Sequence, residues 1–423
     1  MISKPAFRLI FVTVIILSVT STSAQNKTDE VGAYVDSVDK SKQLLGVVLA
    51  SYKGKIVFEK AYGFASEELN VPSQINTRFA IASVTKPMTR VITLKLVEEG
   101  KMQLNDTIGK WVKGFPGGDK ITIEMLLDHK SGLPHRITRP EEETAPYTAA
   151  DMLEKAKQAV LEFEPGSKES YSSLGYSVLT GILEIISGKS YSELLDHYVF
   201  QPAGMNSSMD SRSDTIIPYR STEYRLAPGR LIPAPPQDYS FIVGAGSVYS
   251  TAHDVYLFGD AVVKGKYGEA VKKALVDSSG RFRENGSSYS RCFVLFDTKK
   301  DYGFILVSNV LSGANDLLIR DIPKILEDQK ISPPPLPHFN FIQVPVSKLQ
   351  EYVGAYKFPR FTNHITMDKG KIISGDSQIF PIGEDRFFRL ADYATLTFTR
   401  NSSGKIDGLK WEGLTTTFMG VRQ

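Results

Sequence analysis

Cysteine is almost absent from this chain: among 423 residues only Cys292 occurs, so no intramolecular disulfide can form. If the protein works in an oxidising compartment, packing alone holds it together. An excess of one charge is also missing. Fifty Lys and Arg stand against 47 Asp and Glu, for a net charge of +3, and no clustered basic face points to a nucleic-acid partner. The six histidines form no tight set with ligand spacing, so no metal site is read and no cofactor is called for. No Gly-x-Ser-x-Gly elbow is present. Ser187-Gly188-Lys189-Ser190 has the end of a phosphate-binding loop, but Leu183 stands where that loop needs its first glycine. This segment is read as a helix terminus.

Long apolar runs are equally scarce. The one near the start, Leu9 to Val19, is broken by Thr13 and Ser18 and is shorter than the ~20 residues of a membrane span. Lys4 and Arg8 precede it, and Thr22 and Ala24 are placed for cleavage before Gln25. Residues 1–24 are therefore expected to be a secretory signal peptide, with no cysteine nearby for lipid attachment. The expected location is periplasmic or secreted, with no membrane span after removal. What the chain does have, 42% hydrophobic and 23% charged residues, is the balance of a globular protein. Its length suggests two or three folding units.

Apolar runs at 45–51 and 56–59, with Lys53-Gly54 between them, predict a strand pair. Phe79 to Gly100 is predicted as a helix, with Val91, Ile92, Leu94, Leu96 and Val97 at helical spacing and Gly100 after its end. Further helices are expected from Thr122, over 174–187 before Gly188, over 191–200, and from Ser250-Thr251-Ala252-His253-Asp254. Residues 291–297 and 302–309 predict two strands around a polar turn. First and last strands would then close one sheet with the helices packed on it, an α+β class with an antiparallel sheet flanked by helices. Residues 331–344 form a proline-rich linker. After it, over 345–423, short alternating segments separated by turns at 368–370 and 401–404 predict a small all-β domain.

Ser83-Val84-Thr85-Lys86 carries the chemistry. Residues three apart share one helix face. A serine at a helix start lies in the positive end of the dipole, and its own N–H, one of the unsatisfied first-turn donors, can face an oxyanion. A lysine one turn deeper, shielded from water, can lose its proton and act as base. Pro87 fits a first turn, where a missing N–H costs nothing. By itself Ser-x-x-Lys also fits a plain serine cap with a solvated lysine.

Around that motif the chain resembles the beta-lactamase-like serine hydrolases, which include class C beta-lactamases, D-alanyl-D-alanine carboxypeptidases, other penicillin-binding proteins, D-aminopeptidases and esterases. The resemblance runs through 79–89, 96–106, 121–134, Phe163-Glu164-Pro165-Gly166, Tyr171-Ser172-Ser173-Leu174-Gly175-Tyr176, 200–205 and 250–254, in order, and covers most of 45–310. It implies that Ser83 is acylated, that Lys86 takes its proton, and that Tyr171 relays a proton to the leaving group. A phenol beside an ammonium would have its pKa lowered for that task. His129 is expected to support the fold.

Two positions depart from the family pattern. Ser173 stands where an Asn is usual, leaving one hydroxyl for substrate binding. The third motif, usually Lys-Thr-Gly or His-x-Gly, is placed at Gly280-Arg281-Phe282-Arg283. There Arg281 would hold a substrate carboxylate, and Arg283 would fill or leave the groove. The resemblance implies a hydrolase domain over 25–330 and a lipocalin-like β-domain over 345–423. It implies an acyl-enzyme on D-amino-acid peptides, esters or beta-lactams, a small-molecule or cell-wall-derived peptide being the partner. The alternative is a degenerate relative that binds peptidoglycan-like peptides without turnover. The oligomeric state stays open.

Overall fold

The computed structural model describes residues 25–211, 215–333, 340–359, 361–375, 377–414 and 416–423. The expected signal peptide and the middle of the proline-rich linker lie outside them. The chain divides into two compact units. The first is built from 46–222 and 235–309 with a piece of the N-terminal helix. The second gathers 32–45, 223–234 and 310–423.

The first unit is organised on one antiparallel sheet. Its strands are β1 (Gly46–Tyr52), β2 (Lys55–Tyr62), β3 (Arg281–Ser287), β4 (Arg291–Asp297) and β5 (Tyr302–Ser308), in the order β3-β4-β5-β1-β2. The first two strands of the chain thus complete a sheet begun by the last three, as the apolar runs at both ends predicted. β1 and β5 are buried along their whole lengths. Their unbroken apolar sequences, rather than an alternating pattern, fit strands covered on both faces. Helix α4 (Ala252–Val263) packs on β1, β4 and β5. Its start is capped by Thr251, whose hydroxyl accepts from Asp254 N at 3.1 Å.

Further helices of this unit stand between the sheet's N- and C-terminal strands in sequence. These include α1 (Thr85–Glu98), α2 (Ile123–Leu127) and α3 (Ser173–Ser187), with α5 (Glu269–Leu275) after α4. The helix expected over 79–100 begins only at Thr85. Phe79–Ala80 is instead a short strand paired with Val248–Ser250, and Ala82–Val84 is a single 3-10 turn. Apolar spacing could not separate these pieces, because Phe79, Ile81, Val84 and Met88 are all fully buried whichever form they take. α3 ends as its glycine predicts, with Gly188 at φ 68°.

In the second unit eight strands run from β6 (Gly354–Lys357) to β13 (Thr417–Arg422) and close into an antiparallel barrel. The class expected from sequence, an antiparallel sheet flanked by helices plus a small all-β domain, is the class observed. The barrel's apolar core includes Tyr352, Tyr356, Phe387, Phe398 and Leu409. The helix Gly313–Leu326 belongs to the same unit. Its first residue donates to Leu390 O at 2.9 Å. A side chain at Gly313 would overlap the Tyr393 ring, so only glycine permits that approach.

Leu49 lies at the centre of β1 with no exposed surface, whereas Leu69 is 75% exposed. Leu49→Ala should cost about 2–5 kcal/mol, and Leu69→Ala roughly 0.5 kcal/mol or less. Thermal melting of the two variants beside the wild type checks the difference.

Candidate active site

The site forms where α1 begins. Ala82 sits at φ 46°, a left-handed conformation that costs a non-glycine residue of order 1–3 kcal/mol. This sharp turn ends the short strand and delivers Ser83 to the mouth of α1. Gly286 of β3 fixes the distance on the other side. A Cβ there would overlap Ile81 O and stand 3.0 Å from Ser83 N, so the strand can lie against the nucleophile turn only as glycine.

Lys86 follows one turn into the helix and is 5% exposed. Its Nζ reaches Ser83 Oγ at 3.2 Å, Ser173 Oγ at 3.3 Å and Ala245 O at 2.8 Å. Burial pushes its pKa down to about 7, against the pull of Glu284, which favours the charged form, while Arg136 lowers it further. A large fraction of the amine is therefore unprotonated at neutral pH.

Tyr171 arrives from the loop before α3. Ser172 caps that helix, accepting from Gly175 N at 2.9 Å and donating to Pro134 O at 2.8 Å. Its backbone N–H donates to His129 Nδ1 at 3.2 Å. The cap fixes its two neighbours: Ser173 enters the helix beside Lys86, and Tyr171 turns its hydroxyl to donate to Ser83 Oγ at 2.8 Å. The Tyr171 ring lies 4.5 Å from that of His129 and 5.6 Å from that of His135, and Lys86 Nζ stands 4.7 Å from its centre.

The phenol does not titrate as expected. Burial raises the Tyr171 pKa, only partly offset by the bond to Ser83. Glu284 adds to the rise and Arg136 opposes it. Tyr171 is thus a proton donor in the resting site, and Lys86 is the group that can accept. His129 and His135 both fall to about 4, chiefly through burial, and stay neutral at working pH.

A cavity of about 420 Å³ opens on Ser83, Lys86 and Tyr171, with Arg90, His129, Leu275, Glu284 and Asn285 also in its wall. Four of the five residues singled out in the sequence, Ser83, Lys86, Tyr171 and Ser173, therefore meet in one place. Arg281 does not join them. It lies at the far end of β3, where its Nε donates to Asp297 Oδ2 at 2.8 Å, and it does not line the cavity. Arg283 is exposed and lies over the Phe293 ring at 5.4 Å. It does not fill the groove.

On β3 the residues beside Ser83 are Glu284 and Asn285, which line the cavity, and Gly286, which lies against the Ser83 turn, and not the 280–283 stretch expected. The reason is strand periodicity. Phe282, Glu284 and Gly286 point inward, and Arg281, Arg283 and Ser287 point the other way. A signal was present in the sequence: a buried aromatic followed at two-residue steps by Glu and Gly.

Comparisons with known proteins now add to this geometry. The family model described as Beta-lactamase matches residues 31–280. The chain belongs to that family. Among curated proteins it is 28% identical over 242 residues to the putative penicillin-binding protein PbpX of Bacillus subtilis, covering 57% of this chain and 61% of that one. It is also 28% identical over 244 residues to the D-alanyl-D-alanine-carboxypeptidase/endopeptidase AmpH of Escherichia coli K12, covering 55% of this chain and 61% of that one. The chain thus spans about three fifths of the length of these relatives. Among solved structures, the D-amino acid amidase from Ochrobactrum anthropi SV3 superposes with a TM-score of 0.63 at 20% identity, over 72% of this chain and 99% of that one. That likeness is one of fold.

If Lys86 is the base, kcat/KM should rise with pH through about 7, since a lysine must shed its proton before it can take one from Ser83. Glu284, also near 7, is coupled to it, so the apparent value belongs to the pair. Glu284→Gln removes the anion that favours the charged amine and should move the rising limb to lower pH. A pH–rate profile of both proteins checks the direction.

Proposed function

We propose that this chain is a serine hydrolase that forms an acyl-enzyme on Ser83 and acts on D-amino-acid peptides, esters or beta-lactams. The observation that carries the reading is the convergence on Ser83 Oγ of a phenol at 2.8 Å and a desolvated amine at 3.2 Å, open to a cavity. In the reactive form neutral Lys86 accepts the Ser83 proton as Oγ attacks the acyl carbon. The carbonyl π electrons move onto oxygen, and the first-turn N–H of Ser83 can donate a hydrogen bond to the oxyanion. Collapse re-forms the carbonyl and breaks the bond to the leaving group. Tyr171 gives that group its proton, and the proton that Lys86 took from Ser83 passes back to the phenolate, so both groups end as they began. Water then repeats the sequence in the opposite sense and frees Ser83.

Membership of the Beta-lactamase family and the printed activities of AmpH and the amidase support this chemistry. The reading includes export, residues 1–24 serving as the signal peptide of a periplasmic or secreted enzyme. No helix among the described residues is long and apolar enough to cross a membrane.

A fluorophosphonate or fluorescent penicillin should label the wild type and not Ser83→Ala. Equal labelling of both would remove Ser83 from the mechanism, and failure of both with broad probes would favour a binding-only relative. Tyr171→Phe should retain the fold and lose about 10²–10⁴-fold in kcat on a good ester, measured by steady-state kinetics.

A further inference from the structure

Glu284 is the one inward-facing acid on β3, and it lines the same cavity as Ser83. Its carboxylate has no hydrogen-bond or ion-pair partner among the described residues. The nearby cations do not supply one. Arg90 is committed to Asp128 at 2.9 Å and to Leu127 O at 2.7 Å. Lys86 spends its donors on Ser83, Ser173 and Ala245. Lys130, at the rim, is exposed to solvent. A half-buried carboxyl without partners is costly to keep charged, and burial holds Glu284 at about 7, opposed by Arg90 and then Lys86. A ligand that brought its own positive charge would relieve that cost; a ligand carboxylate would add to it. The residue that might have drawn a carboxylate, Arg281, is paired with Asp297 away from the cavity.

We propose that Glu284 selects substrates carrying an ammonium group near the scissile carbonyl, such as a D-aminoacyl amide, ester or peptide with a free α-amine. This deepens the acyl-enzyme reading and rests on it for the word substrate, but recognition itself does not need Ser83 to react. The geometry supplies both halves: Glu284 and Ser83 line one cavity, and Glu284 stands two residues from Gly286, which lies against the Ser83 turn, so an ammonium held at the carboxyl keeps the substrate in the cavity on which Ser83 opens.

Binding of D-phenylalaninamide and N-acetyl-D-phenylalaninamide to the full-length Ser83→Ala protein, measured by calorimetry, tests this without turnover. The free amine should bind roughly tenfold more tightly. Adding Glu284→Gln should reduce that ratio to about one, while Glu284→Asp should keep part of it and guard against a folding artefact. Equal affinity for the two ligands, or a preference that survives Glu284→Gln in a protein with wild-type melting, would overturn the proposal. Probe labelling of the wild type, run in parallel, reports on Ser83 alone. An amine preference without Ser83 labelling would sink the acyl-enzyme reading and leave this one standing.

Discussion

One desolvated amine governs the site. Lys86 is held by Ala245 O, Ser173 Oγ and Ser83 Oγ in a pocket from which water is largely excluded. Removing water from an ammonium is expensive, and the amine responds by releasing its proton near neutrality. That is the property the proposed base needs. Tyr171 keeps its proton, because desolvation raises its pKa more than the bond to Ser83 lowers it. His129 and His135, partly desolvated near Lys86 and arginines, stay neutral and lie against the phenol ring.

The backbone around the amine is arranged to hold this geometry. A left-handed Ala82 turns the chain into α1, and Gly286 lets β3 press against that turn. Ser172 caps α3 and anchors to Pro134 and His129, so the two residues flanking it, Tyr171 and Ser173, reach Ser83 and Lys86 from one short segment. Three stretches distant in sequence are each fixed by a local device, a strained turn, a close-approach glycine and a helix cap. Their convergence depends on the sheet that joins β1 to β5 and β3 to β4.

The charge of the cavity follows from which cations are already engaged. Arg90 and Arg281 both face carboxylates of their own, Asp128 and Asp297. Glu284, an acid in the cavity wall, has no hydrogen-bond or ion-pair partner among the described residues. Counting arginines along the chain gives the opposite impression, because paired and unpaired charges look the same in a sequence.

Much of this protein was legible without coordinates. The sheet closed by both ends of the domain, the helix starts at Thr122 and Thr251, the stop at Gly188 and the all-β tail all follow from local patterns of apolar spacing and capping. So does the placing of Ser83 and Lys86 on one helix face, and the motif order picked out Tyr171 and Ser173. These are properties of neighbouring residues, and periodicity and backbone preference act over just that range. Tertiary structure alone decided the rest: the helix that starts at Thr85 and not Phe79, the direction of the Tyr171 shift, and the presence of Glu284, not Arg281, in the cavity wall with Ser83. Strand register, desolvation and ion pairing are set by what lies across the fold, and a one-residue change in register sends a side chain to the other face of the sheet.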